Sequence, residues 1–312
     1  MTLALTFPGQ GSQAVGMGKD LADAFPEARG VFDEVDDALG QKLSGLMFEG
    51  PEDELTLTAN AQPALMAVSM AVVRVLEANG FDIASASYAA GHSLGEYSAH
   101  AAVGTFSLAD TARLLRIRGN AMQAAVPVGE GAMAAVIGLE TADVEAVCAE
   151  ASSEGVCQIA NDNGGGQIVI SGAKAPVEKA AELAKVKGAK RALMLPVSAP
   201  FHSALMSPAA DAMREALAEV DVNTPKVPVV TNVHVAPTSD PAAIAAALVD
   251  QVTGQVRWRE TVTWFADNGV STLAEIGSGK VLTGLARRIN RDLGGVAIGT
   301  PSDIEPFVES QA

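Results

Sequence analysis

Gly91-His92-Ser93-Leu94-Gly95-Glu96 is the stretch that decides how the rest of the chain reads. Before it, Ser87-Tyr88-Ala89-Ala90 has the texture of a strand. After it, Tyr97-Ser98-Ala99-His100-Ala101-Ala102 suits a helix. Gly-x-Ser-x-Gly between a strand and a helix is the pattern of a nucleophile elbow, a turn so tight that the residues flanking the serine must be small. Gly91 and Gly95 fill those places, and Ser93 is thrown to the top of a sheet. The helix that follows aims its free N–H groups and positive dipole end at the same point. The backbone N–H of Leu94 is therefore a candidate oxyanion donor.

Outward from the elbow, strands and helices alternate. Leu3-Ala4-Leu5-Thr6-Phe7 reads as a strand ending in Pro8-Gly9-Gln10-Gly11-Ser12-Gln13. Gly9 to Ala14 fits a dinucleotide fingerprint in letters, but the acid expected about twenty residues on falls in a helical segment, so a loop carrying Gln10 to the strand end is the better account. Helices are expected at Leu21 to Leu39, at Pro63 to Asn79 with Gly80 closing it, and at Leu108 to about Ala125. The last carries an inward stripe of Leu108, Thr111, Leu115 and Met122, on which Arg118 also falls. An arginine on an apolar face must find an anion or a fan of acceptors; the anion is either a structural carboxylate or a substrate carboxylate.

Between Val128 and Ser198 the texture changes. Strands at Gly131 to Ile137, Cys157 to Ala160, Gln167 to Ile170 and Arg191 to Val197 frame helices at Thr141 to Ala151, capped by Thr141, and Lys174 to Lys187. The order β-α-β-β-α-β is the split, ferredoxin-like arrangement. We expect residues 128–198 to be a small domain inserted into a larger one made of 1–127 and 199–312. Ala204 to Val220, Ala242 to Val252, Arg259 to Asn268 and Val281 to Asn290 continue the helices, and Pro228 to Val233, Ser271 to Ile276 and Val296 to Gly299 the strands. Such alternation means a largely parallel, helix-covered sheet. Gly279-Lys280 lacks the spacing of a phosphate loop.

The composition narrows the function. A net charge of −16 argues against nucleic acid and anionic membranes as partners. Two cysteines, Cys148 and Cys157, make no disulfide framework and suit a reducing, cytoplasmic setting. No signal peptide or membrane span is expected, and Ala61 to Ala78 reads as a buried helix. Basic clusters remain at Lys185, Lys187, Lys190 and Arg191 and at Arg287, Arg288 and Arg291, either solvated helix ends or a docking patch.

A serine at neutral pH needs a base. Of the four histidines, His92 adjoins the serine on the elbow and points away from it, His100 lies two turns down the helix, and His234 sits in strand context. His202, in the loop Ser198-Ala199-Pro200-Phe201-His202-Ser203, is the expected base. No acid follows in the hydrolase order; Asp162 is the nearest candidate. A histidine held by a backbone carbonyl is therefore plausible.

Taken in order, Pro8-Gly9-Gln10-Gly11-Ser12-Gln13, Ala90-Gly91-His92-Ser93-Leu94-Gly95-Glu96-Tyr97, Arg116-Ile117-Arg118-Gly119, Pro200-Phe201-His202 and Glu275-Ile276-Gly277-Ser278-Gly279-Lys280 resemble the malonyl-CoA:acyl carrier protein transacylases of bacterial type II fatty acid synthesis, over essentially the whole chain. The resemblance implies an α/β-hydrolase-like core with an inserted ferredoxin-like domain. It implies Ser93 as the malonyl carrier, His202 as base, Gln10 and the Leu94 amide as oxyanion hole, and Gln251 as the source of the carbonyl that orients the histidine. Arg118 would bind the malonyl carboxylate; His92, Asn161, Asn163 and Phe201 would line the substrate cleft. The family commonly has Asn-Pro-Val before the tryptophan, where Gly254-Gln255-Val256 precede Arg257-Trp258 here. Malonyl-CoA and acyl carrier protein are the expected partners of a monomer needing no cofactor or metal. The carrier is typically acidic, so Lys187, Lys190, Arg191, Arg287 and Arg288 are candidate docking residues. A serine hydrolase and a non-catalytic carrier-binding protein are the competing readings; Arg118 on an inward stripe and the complete set of Gln10, Ser93, Arg118 and His202 disfavour them.

Overall fold

A computed structural model of the chain describes residues 2–197 and 199–311. Met1, Ala312 and Ser198, the last placed at the end of the expected insertion and the start of the His202 loop, lie outside the described residues. The strands are β1 (Leu3–Phe7), β2 (Tyr88–Gly91), β3 (Gly131–Ile137), β4 (Cys157–Asp162), β5 (Gln167–Ala173), β6 (Arg191–Met194), β7 (Val229–Val230), β8 (Pro237–Thr238), β9 (Thr272–Ile276) and β10 (Gly294–Ile298).

The apolar run of β1 is buried along its whole length, as a strand covered on both faces must be. It lies inside a six-stranded sheet of order β10-β9-β1-β2-β7-β8. Every pairing there is parallel except the last, β7 with β8. From β1 the chain builds outward to β8, then returns to add β9 and β10 on the other side of β1. That reversal is a topological switch point, and in open α/β sheets ligands bind beyond the carboxyl ends of the strands there. Gln10 follows β1 and Ser93 follows β2.

The second sheet, of order β4-β5-β3-β6, is antiparallel throughout. Its period-2 alternation divides its side chains between two cores. Ala134, Val136, Ile159, Ile168 and Ile170 pack against Val144, Val147, Val177 and Ala180 of the helices Thr141–Ala151 and Lys174–Val186. Met133, Ala160 and Val169 point the other way and join the main core. The second sheet thus roofs the first. A bulge in β4 between Ile159 and Asn161 interrupts this alternation, and Asn161, still paired with Val169, also bridges to Val256.

Several expected boundaries move for local reasons. Leu21 to Leu39 is two helices, Lys19–Ala24 and Pro26–Leu39, because Phe25 before the proline is extended (φ −132°, ψ 123°). The helix expected from Pro63 begins five residues earlier and runs Thr58–Ala78, with the proline inside it. It is long and apolar enough to cross a membrane but is buried against its neighbours, being apolar on nearly all sides. Thr141 does not cap its helix: Glu140 holds the N-cap position, and the threonine hydroxyl donates to Asp162 Oδ2 (3.0 Å). The strand expected at Pro228 to Val233 shortens to β7, which leaves His234 in an exposed turn 3.7 Å from Asp250 Oδ2. Arg191 to Val197 keeps strand geometry only to Met194.

Candidate active site

Ser93 has φ 55° and ψ −113°, a conformation that a side-chain-bearing residue adopts only where its surroundings enforce it. The enforcement is visible on both sides. A Cβ on Gly91 would lie 1.8 Å from Gly95 C, and one on Gly95 would lie 2.2 Å from Phe7 O. Asn232 completes the clamp: its Oδ1 accepts from Ser93 N (2.8 Å) and its Nδ2 donates to Gly91 O (2.7 Å). Leu94 opens the helix Leu94–Ala102, where first-turn amides have no intrahelical partner.

The Ser93 hydroxyl donates to His202 Nε2 across 2.7 Å. On the other side of the ring, Nδ1 faces two carbonyls, Gln251 O at 2.9 Å and Gly254 O at 3.1 Å. Carbonyls only accept, so Nδ1 carries the proton and Nε2 presents its lone pair to the serine. His202 also has a positive φ, 55°. Burial, then the neighbouring Arg118 charge, push its pKa down to about 3, so the ring is neutral at ordinary pH. Asp162, the nearest acid by sequence, is instead engaged with Thr141, Arg259 and the Gly164 amide. The Gly254-Gln255-Val256 segment delivers one of the two orienting carbonyls, that of Gly254, and Gln251 delivers the other.

Arg118 is 2% exposed, in the middle of the helix Leu108–Ala124, whose N-cap is Ser107. Its Nη1 donates to Gln62 Oε1 (2.7 Å), and its Nη2 to Gln251 Oε1 (2.8 Å) and Ser93 Oγ (3.2 Å). The guanidinium carbon lies 5.6 Å from the centre of the Tyr97 ring. Nε has no partner among the described residues, and no ion pair to a carboxylate forms there. A fan of acceptors meets this arginine, and the Glu96 carboxylate reaches it only through the Gln251 amide.

The rest of the expected set surrounds a cavity of about 480 Å³. Gln10, His92, Ser93, Arg118, Asn161, Asn163, Phe201 and His202 all line it, as do Met133 and Val169 of the roof and Leu282 and Leu285 of the helix Val281–Ile289. Gln10 itself is exposed; its Oε1 accepts from Thr58 Oγ1 (3.1 Å), which leaves the amide NH2 for other acceptors. His92 Nε2 meets Asn163 Oδ1 at 2.8 Å, joining elbow to roof, and burial lowers its pKa. His100 is buried against Thr105 Oγ1 (3.1 Å), away from the serine. Leu94 and Gln251 stand behind the wall. Of the basic residues, Lys190 packs on Gly138 and Arg288 on Gly165; Gly138 N donates to Gly166 O (2.7 Å), so the two cations flank one turn. That turn leads into Gln167, at the cavity.

Three residues of the network were not singled out from sequence. Gln62 and Asn232 hold Arg118 and the elbow from positions 56 and 139 residues away. Glu96, fully buried on the helix after the serine, accepts from Gln251 Nε2 (2.7 Å) and Asn232 N (3.2 Å). Only Glu96 had a sequence signal, an acid within the elbow motif where the helix would be inward.

The chain is similar to known proteins along nearly its whole length. Residues 5–293 match the model of the acyl transferase domain family. A malonyl CoA-acyl carrier protein transacylase of Bacillus subtilis (strain 168) is 46% identical over 309 residues, 99% of this chain and 96% of the relative. The crystal structure of an acyl-carrier-protein-S-malonyltransferase from Bartonella henselae superposes with a TM-score of 0.98 at 65% identity, covering 99% of both chains. A malonyl-transacylase solved in complex with its type II polyketide synthase acyl-carrier protein superposes with a TM-score of 0.96 at 44% identity, covering 99% of this chain and 100% of the other.

Proposed function

The chain belongs to the acyl transferase family, and from that premise we propose that it moves a malonyl group from malonyl-CoA to the phosphopantetheine thiol of acyl carrier protein through a malonyl-Ser93 ester, supplying fatty acid synthesis. The observation that carries this reading is the meeting of one serine hydroxyl with a neutral imidazole at 2.7 Å and a buried guanidinium at 3.2 Å. The first pair is a nucleophile with its base. The second is a cation placed where an acyl group's distal carboxylate would lie, matched to it by bidentate geometry.

In this reaction His202 Nε2 takes the Ser93 proton as Oγ attacks the thioester carbonyl. The oxyanion lies between the Leu94 amide and Gln10, where each donor is worth about 2.7–4 kcal/mol of transition-state stabilisation. The proton passes from His202 to the departing CoA sulfur. The carrier thiol then gives its proton to His202 and attacks the ester carbonyl; as the Ser93 C–O bond breaks, His202 returns that proton to Oγ, which restores the free serine. Asn161, Asn163, His92 and Phe201 border the acyl group, and Gln251 holds His202 through its carbonyl. No cofactor takes part, malonyl-CoA being a substrate. The frame is an α/β-hydrolase-like core of 1–127 and 199–312 with a ferredoxin-like insertion, 128–198, as its roof; it acts as a cytoplasmic monomer. Lys187, Lys190, Arg191, Arg287 and Arg288 form the docking patch for the acidic carrier.

Intact-protein mass spectrometry tests this. Mixing with malonyl-CoA should add one malonyl group, lost on adding the phosphopantetheinylated carrier and absent in Ser93→Ala. No adduct, or one released to water as fast as to the carrier, would overturn it; the latter would make the protein a hydrolase.

A further inference from the structure

Arg118 is a buried cation without an adjacent carboxylate, a costly arrangement unless a counter-charge stands near. One does, one residue removed. Arg118 Nη2 donates to Gln251 Oε1 (2.8 Å), and Gln251 Nε2 donates to Glu96 Oε2 (2.7 Å). A single primary amide thus bridges guanidinium and carboxylate, its oxygen turned to the cation and its NH2 to the anion. The same NH2 also reaches Ser93 O (3.0 Å). Glu96 Oε2 takes a second bond from Asn232 N, whereas Oε1 is buried without a partner among the described residues. That oxygen has room in its bonding for a proton and no donor competing for it.

We infer that Glu96 is the counter-charge of Arg118 in the empty site, coupled through the Gln251 amide, and that it takes up a proton at Oε1 when a substrate carboxylate docks on Arg118. The inference rests on the carboxyacyl-transfer reading and deepens it. Glu96 touches neither substrate nor reacting atoms and is a positioning residue. With the docked carboxylate meeting the guanidinium directly, Glu96 becomes a second anion in a closed site, and two like charges there cannot both persist. The charged and titratable groups that interact with it are Arg118 from the helix Leu108–Ala124 and Tyr97 from its own helix; His202 and His92 are the titratable histidines of the cavity. Burial already holds the Glu96 pKa up at about 7, with the Gln251 bond, the Asn232 amide and Arg118 pulling it down. Burial and Arg118 hold His202 at about 3, burial lowers His92, and burial raises Tyr97, so burial favours the neutral form of all three in the empty site.

The chemistry makes the proton visible. Acylation turns Ser–OH and a thioester into an ester and a free thiol: the serine proton ends on CoA sulfur, and the step has no net proton change near pH 7. Any uptake therefore reports a group whose pKa responds to the acyl chain. Stopped-flow with an indicator dye in weak buffer reads it, while mass spectrometry of the same samples counts acylated sites. With malonyl-CoA the wild-type protein should take up about half a proton per acylated site at pH 7, rising towards one by pH 8 and vanishing by pH 5. With acetyl-CoA, which lacks the carboxylate, no uptake should occur. Glu96→Gln should acylate with malonyl and take up none. Acylation without uptake in the wild type, equal uptake with the two acyl groups, or uptake persisting in Glu96→Gln (which would move the proton to His202) would each overturn the inference. Absence of any acyl-enzyme would instead sink the transfer reading. The wild-type comparison stands without the variant, should that variant fail to fold.

Discussion

Arg118→Ala separates the two things this guanidinium does beside Ser93. In the proposed reaction it is the buried, charge-assisted partner of a carboxyacyl group, and removing one side of such a pair costs about 2–5 kcal/mol, or roughly 30- to 4,000-fold in kcat/KM. Toward His202 it is a repulsive neighbour, since its charge is one of the causes holding the imidazole at about pKa 3. Removing it makes the base stronger, and a neutral acyl group, which has nothing to pair with the arginine, gains from that. The expected outcome is a fall in malonyl-CoA kcat/KM within that range, with acetyl-CoA unchanged or faster. Arg118→Met, which keeps most of the volume, should give the same crossing, because Gln62 Oε1, Gln251 Oε1 and Ser93 Oγ lose their donor in both variants. The assay is the initial rate of acyl-serine formation with each thioester, alongside thermal unfolding to confirm that the variants are folded at the assay temperature. Parallel losses on malonyl and acetyl would refute the reasoning: the arginine would then be a structural prop for Gln62 and Gln251.

His202→Ala should slow acylation by malonyl- and acetyl-CoA alike, by about 10²–10⁴-fold, in single-turnover mass measurements. Gly95→Ala should destabilise the fold by about 3 kcal/mol in urea unfolding, because the new methyl would stand 2.2 Å from Phe7 O, against the Phe7–Pro8 backbone rather than a yielding side chain. Stability should fall as pH drops from about 6.5 towards 3. His92, His100 and His202 have lowered pKa values in the fold, so unfolding binds protons there, and urea midpoints across pH will show the slope. Glu96 works in the opposite sense: its raised pKa, about 7, gives stability that is full below 4.5 and lost as pH rises through 7, and Glu96→Gln should flatten that neutral-side decline. Reversing Lys190, Arg191, Arg287 and Arg288 should slow transfer to the carrier and leave acylation by malonyl-CoA intact, read by the two half-reactions separately.

Elements whose ends are set locally were legible in the sequence. β3 (Gly131–Ile137) and the helix Thr141–Ala151 have the expected boundaries, although Glu140 rather than Thr141 holds the cap. Where tertiary packing decides, the reading failed. Pro63 looks like a helix start, yet burial against its neighbours carries the helix back to Thr58. Pro228 to Val233 has the apolar content of a long strand, but only Val229 pairs with β2, and the chain then turns at Asn232 to clamp the elbow. The short helices Leu43–Glu49 and Glu52–Thr56 and the C-terminal Pro301–Gln311 went unread because each is too brief or too polar to show a period.

The site divides along the same line. Side chains that carry chemistry announce themselves by type: a serine between glycines, a histidine in a loop, an arginine on an apolar stripe. Groups that act by position do not. The carbonyls that fix His202 belong to Gln251 and Gly254, and any residue has a carbonyl; only the fold places these at 2.9 and 3.1 Å. This matters for the chemistry as well as for its legibility. A carboxylate behind the imidazole would stabilise its cationic form in every state of the site. Two neutral carbonyls orient the ring with less of that assistance, so its basicity is left to the other charges nearby, and the nearest is Arg118. A substrate carboxylate that pairs with Arg118 therefore lifts the repulsion on the imidazolium formed during attack. On the proposed reaction, discrimination between acyl groups then enters through the base as well as through binding, and is expected in kcat as much as in KM.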